Sequence, residues 1–176
     1  MRTFLDRFEA GFNALNTFIA VLAAVTIGAF AILIPVDLML RKLAWGNFPW
    51  LHEGIEYTLY VGVFLSAAWV LNKGAHVRVD ILVSMLSKRG AIRLEQVLDL
   101  MGAVLCGILC YYGITAALVE YADDAMPDKD LQIANWYMMV VFAVSFAMLS
   151  LEFLFRLRRA RELLIEESDP TKKAGF

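Results

Sequence analysis

A chain of 176 residues that is 60% hydrophobic, with a mean hydropathy of +0.63, lies far from the composition of a soluble domain. Its net charge of −2 says little by itself, but its basic residues flank apolar runs and form no separate face, which excludes a nucleic-acid footprint. The apolar runs use up most of the chain, so one membrane domain is expected.

Four stretches contain no charged side chain: 10–36, 57–72, 100–119 and 131–151. A hydrocarbon layer about 30 Å thick takes roughly 20 residues of helix at about 1.5 Å each. Lipid gives backbone groups no partner, so spans of this kind must be helical. The expected fold is therefore all-α and integral to the membrane. Four transmembrane helices are placed near 12–36, 50–72, 97–119 and 131–155, with a polar tail over 156–176.

The first span reads as an uncleaved helix, because Asp6 and Glu9 interrupt a signal-type basic start. Pro35 is expected to mark its end. Pro49-Trp50-Leu51 lengthen the second, shorter run. Near the start of that second span Glu53, Glu56 and Tyr60 share one face. They suit a cationic group on a partner subunit, and equally an acidic helix start favoured by the macrodipole.

Between the second and third spans, Val77, Ile81, Leu82, Met85 and Leu86 recur at helical spacing, with Arg78, Asp80, Ser84, Ser87 and Lys88 opposite. An amphipathic arm over roughly 76–89 is expected at the membrane surface, anchored in lipid or against a partner. Gly90 is expected to break it from the third span. Cys106 and Cys110 lie one turn apart within that span and read as small lipid-facing or packing residues, since a continuous helix is a poor setting for a disulfide. Glu152 and Arg156, at i and i+4 near the end of the fourth span, read as an intrahelical ion pair.

Charge placement predicts topology. Thirteen of the 16 basic residues precede the first span, lie between the second and third, or follow the fourth. Both termini and the middle loop are therefore expected on the cytoplasmic side. The third loop carries Glu120, Asp123, Asp124, Asp128 and Asp130 against the single Lys129, which places it outside. Trp45, Trp50, Tyr57, Tyr60, Tyr121, Trp136 and Tyr137 gather near the outer boundaries as an aromatic belt.

No catalytic constellation emerges. His52 and His76 are 24 residues apart, roughly 36 Å along a helix, too far to share a metal or haem. No cofactor is expected in this chain.

The stretch Glu53-Gly54-Ile55-Glu56-Tyr57, the small and apolar residues through Ala67-Ala68, and Lys73-Gly74-Ala75-His76-Val77-Arg78-Val79-Asp80 together resemble the DctQ-type small membrane subunit of tripartite ATP-independent periplasmic (TRAP) transporters. The family's glutamate opening the second span falls on Glu53. Its His-hydrophobic-x-Val-Asp signature falls on His76, Val77, Val79 and Asp80. Two positions depart from the pattern: Glu56 stands where a basic residue is common, and Ser66 where a mid-helix glycine is usual.

The resemblance implies a bacterial inner-membrane subunit that catalyses nothing itself. Its partners would be a large multi-spanning TRAP subunit, which carries an organic acid such as a C4-dicarboxylate or sialic acid with coupling sodium, and a periplasmic binding protein. The small subunit would form a fixed scaffold. His76, Arg78 and Asp80 then become candidates for bracing the arm, Glu53, Glu56 and Tyr60 for the subunit interface, and Asp123, Asp124, Asp128 and Asp130 for docking the binding protein. The competing readings are an autonomous four-helix membrane scaffold or assembly protein and, ranked lower, a quinone-linked membrane enzyme.

Overall fold

A computed structural model of the chain describes residues 2–73, 88–123, 126 and 131–168. Among these residues it is built from four helices: α1 (Arg2–Lys42), α2 (Leu51–Asn72), α3 (Lys88–Ala122) and α4 (Asn135–Ser168). All four are long and apolar enough to cross a membrane. The expected surface arm lies outside the described residues over 76–87, and with it His76, Arg78 and Asp80, while its last two positions, 88 and 89, belong to α3. Asp124, Asp128 and Asp130 also lie outside the described residues.

The helices pair as two antiparallel hairpins, α1 with α2 and α3 with α4, joined through α2 against α4. The spatial order is therefore α1–α2–α4–α3, with α1 and α3 at the edges. The start of α1, the end of α2, the start of α3 and the end of α4 lie at one end, called here the terminal end. The end of α1, the start of α2, the end of α3 and the start of α4 lie at the opposite, loop end. The apolar side chains on the outer surfaces of α1 and α3 are largely exposed, as expected when the surrounding solvent is lipid.

The α3–α4 seam is built on small residues. Ala103, Cys106, Ala117 and Ala143 are buried there, and Ser150 Oγ donates to the Ala103 carbonyl at 3.1 Å. A Cβ on Gly113 would lie 2.8 Å from Phe142 Cδ1 and 3.2 Å from Ala143 Cα. One on Gly102 would meet the Phe153 ring at 2.7 Å. Close backbone approach of this kind substitutes in lipid for the missing hydrophobic drive. Cys106 and Cys110 are both free thiols, the first buried in this seam.

Two expected helix boundaries are corrected. α1 continues through Pro35 to Lys42. Proline removes one backbone bond, but Asp37 holds the turns beyond it. Its Oδ2 lies 2.7 Å from Arg41 Nε, and its Oδ1 accepts the Phe48 N–H at 2.7 Å. The helix ends where Ala44 takes a left-handed conformation (φ 54°) and the Trp45 N–H reaches back to Leu40 O at 3.1 Å. α3 likewise runs through Gly90 from Lys88. A single glycine weakens a helix by about 1 kcal/mol relative to alanine, which Ala91, Leu94, Glu95 and the packed seam beyond outweigh.

Candidate functional site

Charged and amide side chains are expensive inside an apolar bundle unless they meet partners, so their placement marks what the fold is built around. Among the described residues five polar ones are buried: Asn16, Asp37, Asp99, Ser145 and Glu152. Apart from Asp37 and Ser145, they belong to a cluster in the terminal half. Glu152 is its centre, with 0% of its surface exposed. Its Oε1 accepts from Asn72 Nδ2 of α2 at 2.8 Å and from Arg159 Nη2 of α4 at 2.6 Å. Asn72 Nδ2 also donates to Asn13 Oδ1 of α1 at 3.0 Å. One carboxylate therefore ties α1, α2 and α4 at a single level.

The expected Glu152–Arg156 pair is not formed. Arg156 turns to α3, where Nη2 lies 2.9 Å from Glu95 Oε1 and Nε 3.4 Å from Asp99 Oδ1. Its Nη1 reaches the Leu71 carbonyl at the end of α2, at 3.5 Å. Intrahelical spacing permits the i,i+4 pair, but the guanidinium is 14% exposed and gains more by bridging three helices than one. Beyond the bilayer-length part of the bundle, Arg158 pairs with Asp6, and Arg159 Nε lies 3.3 Å from Glu9 Oε1. The first turns of α1 are thus fastened to the end of α4.

The network is not saturated. Glu152 Oε2, both amide atoms of Asn16 and Trp69 Nε1 have no hydrogen-bond partner among the described residues. Asn16 is one turn beyond Asn13 on α1, and Trp69 one turn before Asn72 on α2. An isosteric apolar replacement of a buried group without a partner removes a desolvation cost. Asn16→Leu is therefore expected to leave unfolding in detergent unchanged or raise stability by about 1 kcal/mol. A loss of stability would show that the amide is satisfied after all.

At the loop end, Glu53 and Tyr60 of α2 both reach toward α4 and the segment leading into it. Glu53 Oε2 accepts the Leu131 N–H at 2.6 Å, and Tyr60 Oη donates to the Met138 carbonyl at 3.1 Å. Tyr60 continues into an aromatic stack with Phe64, Phe142 and Phe146. Glu56, on the same helix, is exposed. Asp123 sits exposed just past the end of α3. Tyr121, Trp136 and Tyr137 stack together at this boundary, with ring centroids 5.6 Å and 3.7 Å apart.

Glu53 thus fixes the segment entering α4, a role the sequence did not single out. Glu53→Ala is expected to cost about 2 kcal/mol, since it strips a charge-assisted bond from a backbone N–H, whereas Glu53→Gln retains an acceptor. Chemical unfolding of the purified chain distinguishes the two. Equal losses would mean that the charge matters and the acceptor does not.

Among the described residues, no group of three or more His, Cys, Asp and Glu side chains is arranged to hold a metal ion. Apolar grooves lie on the outer surface of the described residues. One, of about 400 Å³, lies between α3 and α4 and is lined by Ile114, Leu118, Trp136 and Val140. Another, of about 370 Å³, lies between α1 and α2. The polar chemistry is inside the frame and binds helix to helix.

The signals for this network were in the sequence. Asn13, Asn16 and Asn72 are amides within apolar runs, and Asp37 and Asp99 flank them. In a membrane chain each such residue calls for an interior partner. Which helix supplies that partner is not readable from spacing.

No curated protein matches the chain. Comparison with protein families matches residues 30–162 to the DctQ component of tripartite ATP-independent periplasmic transporters. The match runs from the last third of α1 through the ion-paired part of α4, taking in the seam, Glu152 with Asn72 and Arg159, and the Glu53 tie. With that extent of match, four membrane-length helices and no strand among the described residues, the chain belongs to the DctQ family, the small membrane component of TRAP transporters.

Proposed function

We propose that the chain is a non-catalytic scaffold for the large, substrate-carrying subunit of a sodium-coupled TRAP transporter for an organic acid. The supporting observation is the placement of the polar side chains: most of them lock the four helices to one another, and the outside is left largely apolar. A stationary frame needs that division, because a transport domain moving beside it works against whatever does not move.

The topology proposed from the basic residues places the terminal end, with its Arg156, Arg158 and Arg159 pairs, on the cytoplasmic side of the inner membrane. The Glu53–Leu131 tie then lies at the periplasmic side. Asp123, Asp124, Asp128 and Asp130 would there present acidic groups to the binding protein. His76, Arg78 and Asp80 would brace the cytoplasmic arm, and Glu56 would face the large subunit.

The test is affinity purification of the tagged chain from its native membranes in mild detergent, with co-purifying proteins identified by mass. A stoichiometric membrane protein with many apolar spans supports the proposal. Recovery of the chain alone, stable and monodisperse, favours an autonomous scaffold.

A further inference from the structure

Hydroxyl groups within the spans are mostly satisfied inside the chain. Thr17, Thr26, Ser66 and Thr115 donate to carbonyls of their own helices, and Tyr60 donates to Met138 O. Tyr111 and Tyr112 on α3 differ. They are 67% and 64% exposed. Their rings touch each other at 5.7 Å, and neither hydroxyl has a hydrogen-bond partner among the described residues.

Their depth makes this costly. The charge-free part of α3 is 100–119, so Tyr111 and Tyr112 lie within one turn of its middle. The nearer boundary is about 11 Å away along the axis. Helical side chains lean toward the N-terminus, which here points away from that boundary. The phenols cannot reach headgroups or water, unlike the interfacial Tyr121 and Tyr137.

A second feature lies beside Tyr111. Gly107 is one turn before Tyr111, and a Cβ built on it would meet nothing within 4 Å. Gly102 and Gly113 are explained by the α4 seam, but Gly107 weakens the helix with no return inside the chain. Glycine on an outward face is the usual means by which a second membrane helix comes close. Gly28 on α1 is equally open, yet its neighbours one turn away, Ala24 and Ile32, carry no polar atom. The outward face of α1 suits lipid.

We infer that the α3 face centred on Tyr111, with Gly107 and Tyr112 on either side of it, is where a transmembrane helix of the large subunit docks, passing close to Gly107 with its carbonyl or hydroxyl oxygens accepting from the phenols. This assignment rests on the small-subunit reading above and names the contact surface for it. Lipid tails offer no acceptor at this depth. A helix whose backbone carbonyls are freed or doubly used, or that carries Ser or Thr, does.

A photo-crosslinking residue placed at position 112, with one at Val25 of α1 as control, tests the face in native membranes. The expected adduct from position 112 is with the large subunit, and from Val25 with lipid alone. An adduct of two 19.8 kDa chains from position 112, or lipid alone, overturns the assignment.

Two variants add a readout that misfolding would not mimic. Tyr111→Phe combined with Tyr112→Phe keeps both rings and is expected to lower recovery of the large subunit about ten-fold, as for two ordinary hydrogen bonds. Gly107→Leu points into open space. It is expected to leave unfolding of the isolated chain unchanged or later, and yet to reduce recovery. Unchanged recovery in both variants overturns the proposal. If the unsubstituted chain brings down no large subunit, the small-subunit reading itself fails. If it does so while position 112 marks only lipid, the face alone is wrong.

Discussion

Glu152→Leu is expected to destabilise the purified chain by about 3 kcal/mol, the low end for removing one member of a buried ion pair. The carboxylate is wholly buried and is the acceptor shared by Asn72 and Arg159. Without it, the Asn72 amide keeps only Asn13. The estimate sits at the low end because Arg159 is 41% exposed, so its guanidinium can turn toward water. Glu152→Gln keeps an acceptor for Asn72 and loses only the charge facing Arg159, and should cost about 1 kcal/mol. Denaturant titration of the two variants in one detergent gives the comparison. Equal and small effects would mean that helix packing, and not this node, sets the α2–α4 contact. Because apolar residues replace buried ion pairs at little net cost when both partners change, Glu152→Leu combined with Arg159→Leu should recover much of the loss.

The second large effect concerns the α3–α4 seam. Gly113→Ala should cost about 2 kcal/mol, the middle of the range for overpacking, despite the better helix propensity of alanine. Its new methyl would lie 3.2 Å from Ala143 Cα, which is backbone, and 2.8 Å from Phe142 Cδ1. For Gly102→Ala the three nearest atoms all belong to the Phe153 ring, the closest at 2.7 Å. That ring is the far end of a rotatable side chain and can swing aside. Gly113 should therefore be the more sensitive site even though the closest approach is at Gly102. The reverse order would show that the helices slide apart more easily than a phenylalanine rotates. Both variants are read by thermal unfolding, with Gly107→Ala as the control that meets nothing.

Much of this architecture was legible in the sequence because lipid imposes a simple rule. A backbone in hydrocarbon must satisfy itself within its own helix, so four charge-free runs give four spans wherever they fall in the chain. Helix limits were less legible. Pro35 and Gly90 are ordinary punctuation in water, but here each is overridden by contacts made elsewhere, Asp37 with Arg41 and Phe48 in one case and the α3–α4 seam in the other. The Glu152–Arg156 spacing led to the wrong partner for a similar reason. Helical periodicity says which side chains are neighbours on one helix, and is silent about an acid on another.

Composition and charge placement determined by themselves that this is a four-span membrane chain, and the residues around Glu53 and His76 to Asp80 carried its family likeness. Only the tertiary structure decided that Glu53 is spent on Leu131, that Asn13, Asn72, Glu152 and Arg159 form one node, and that Tyr111 and Tyr112 are left facing outward. The physical reason is locality. Insertion into a bilayer is governed by each segment's own residues, whereas the pairing of buried polar groups depends on which helices are brought side by side.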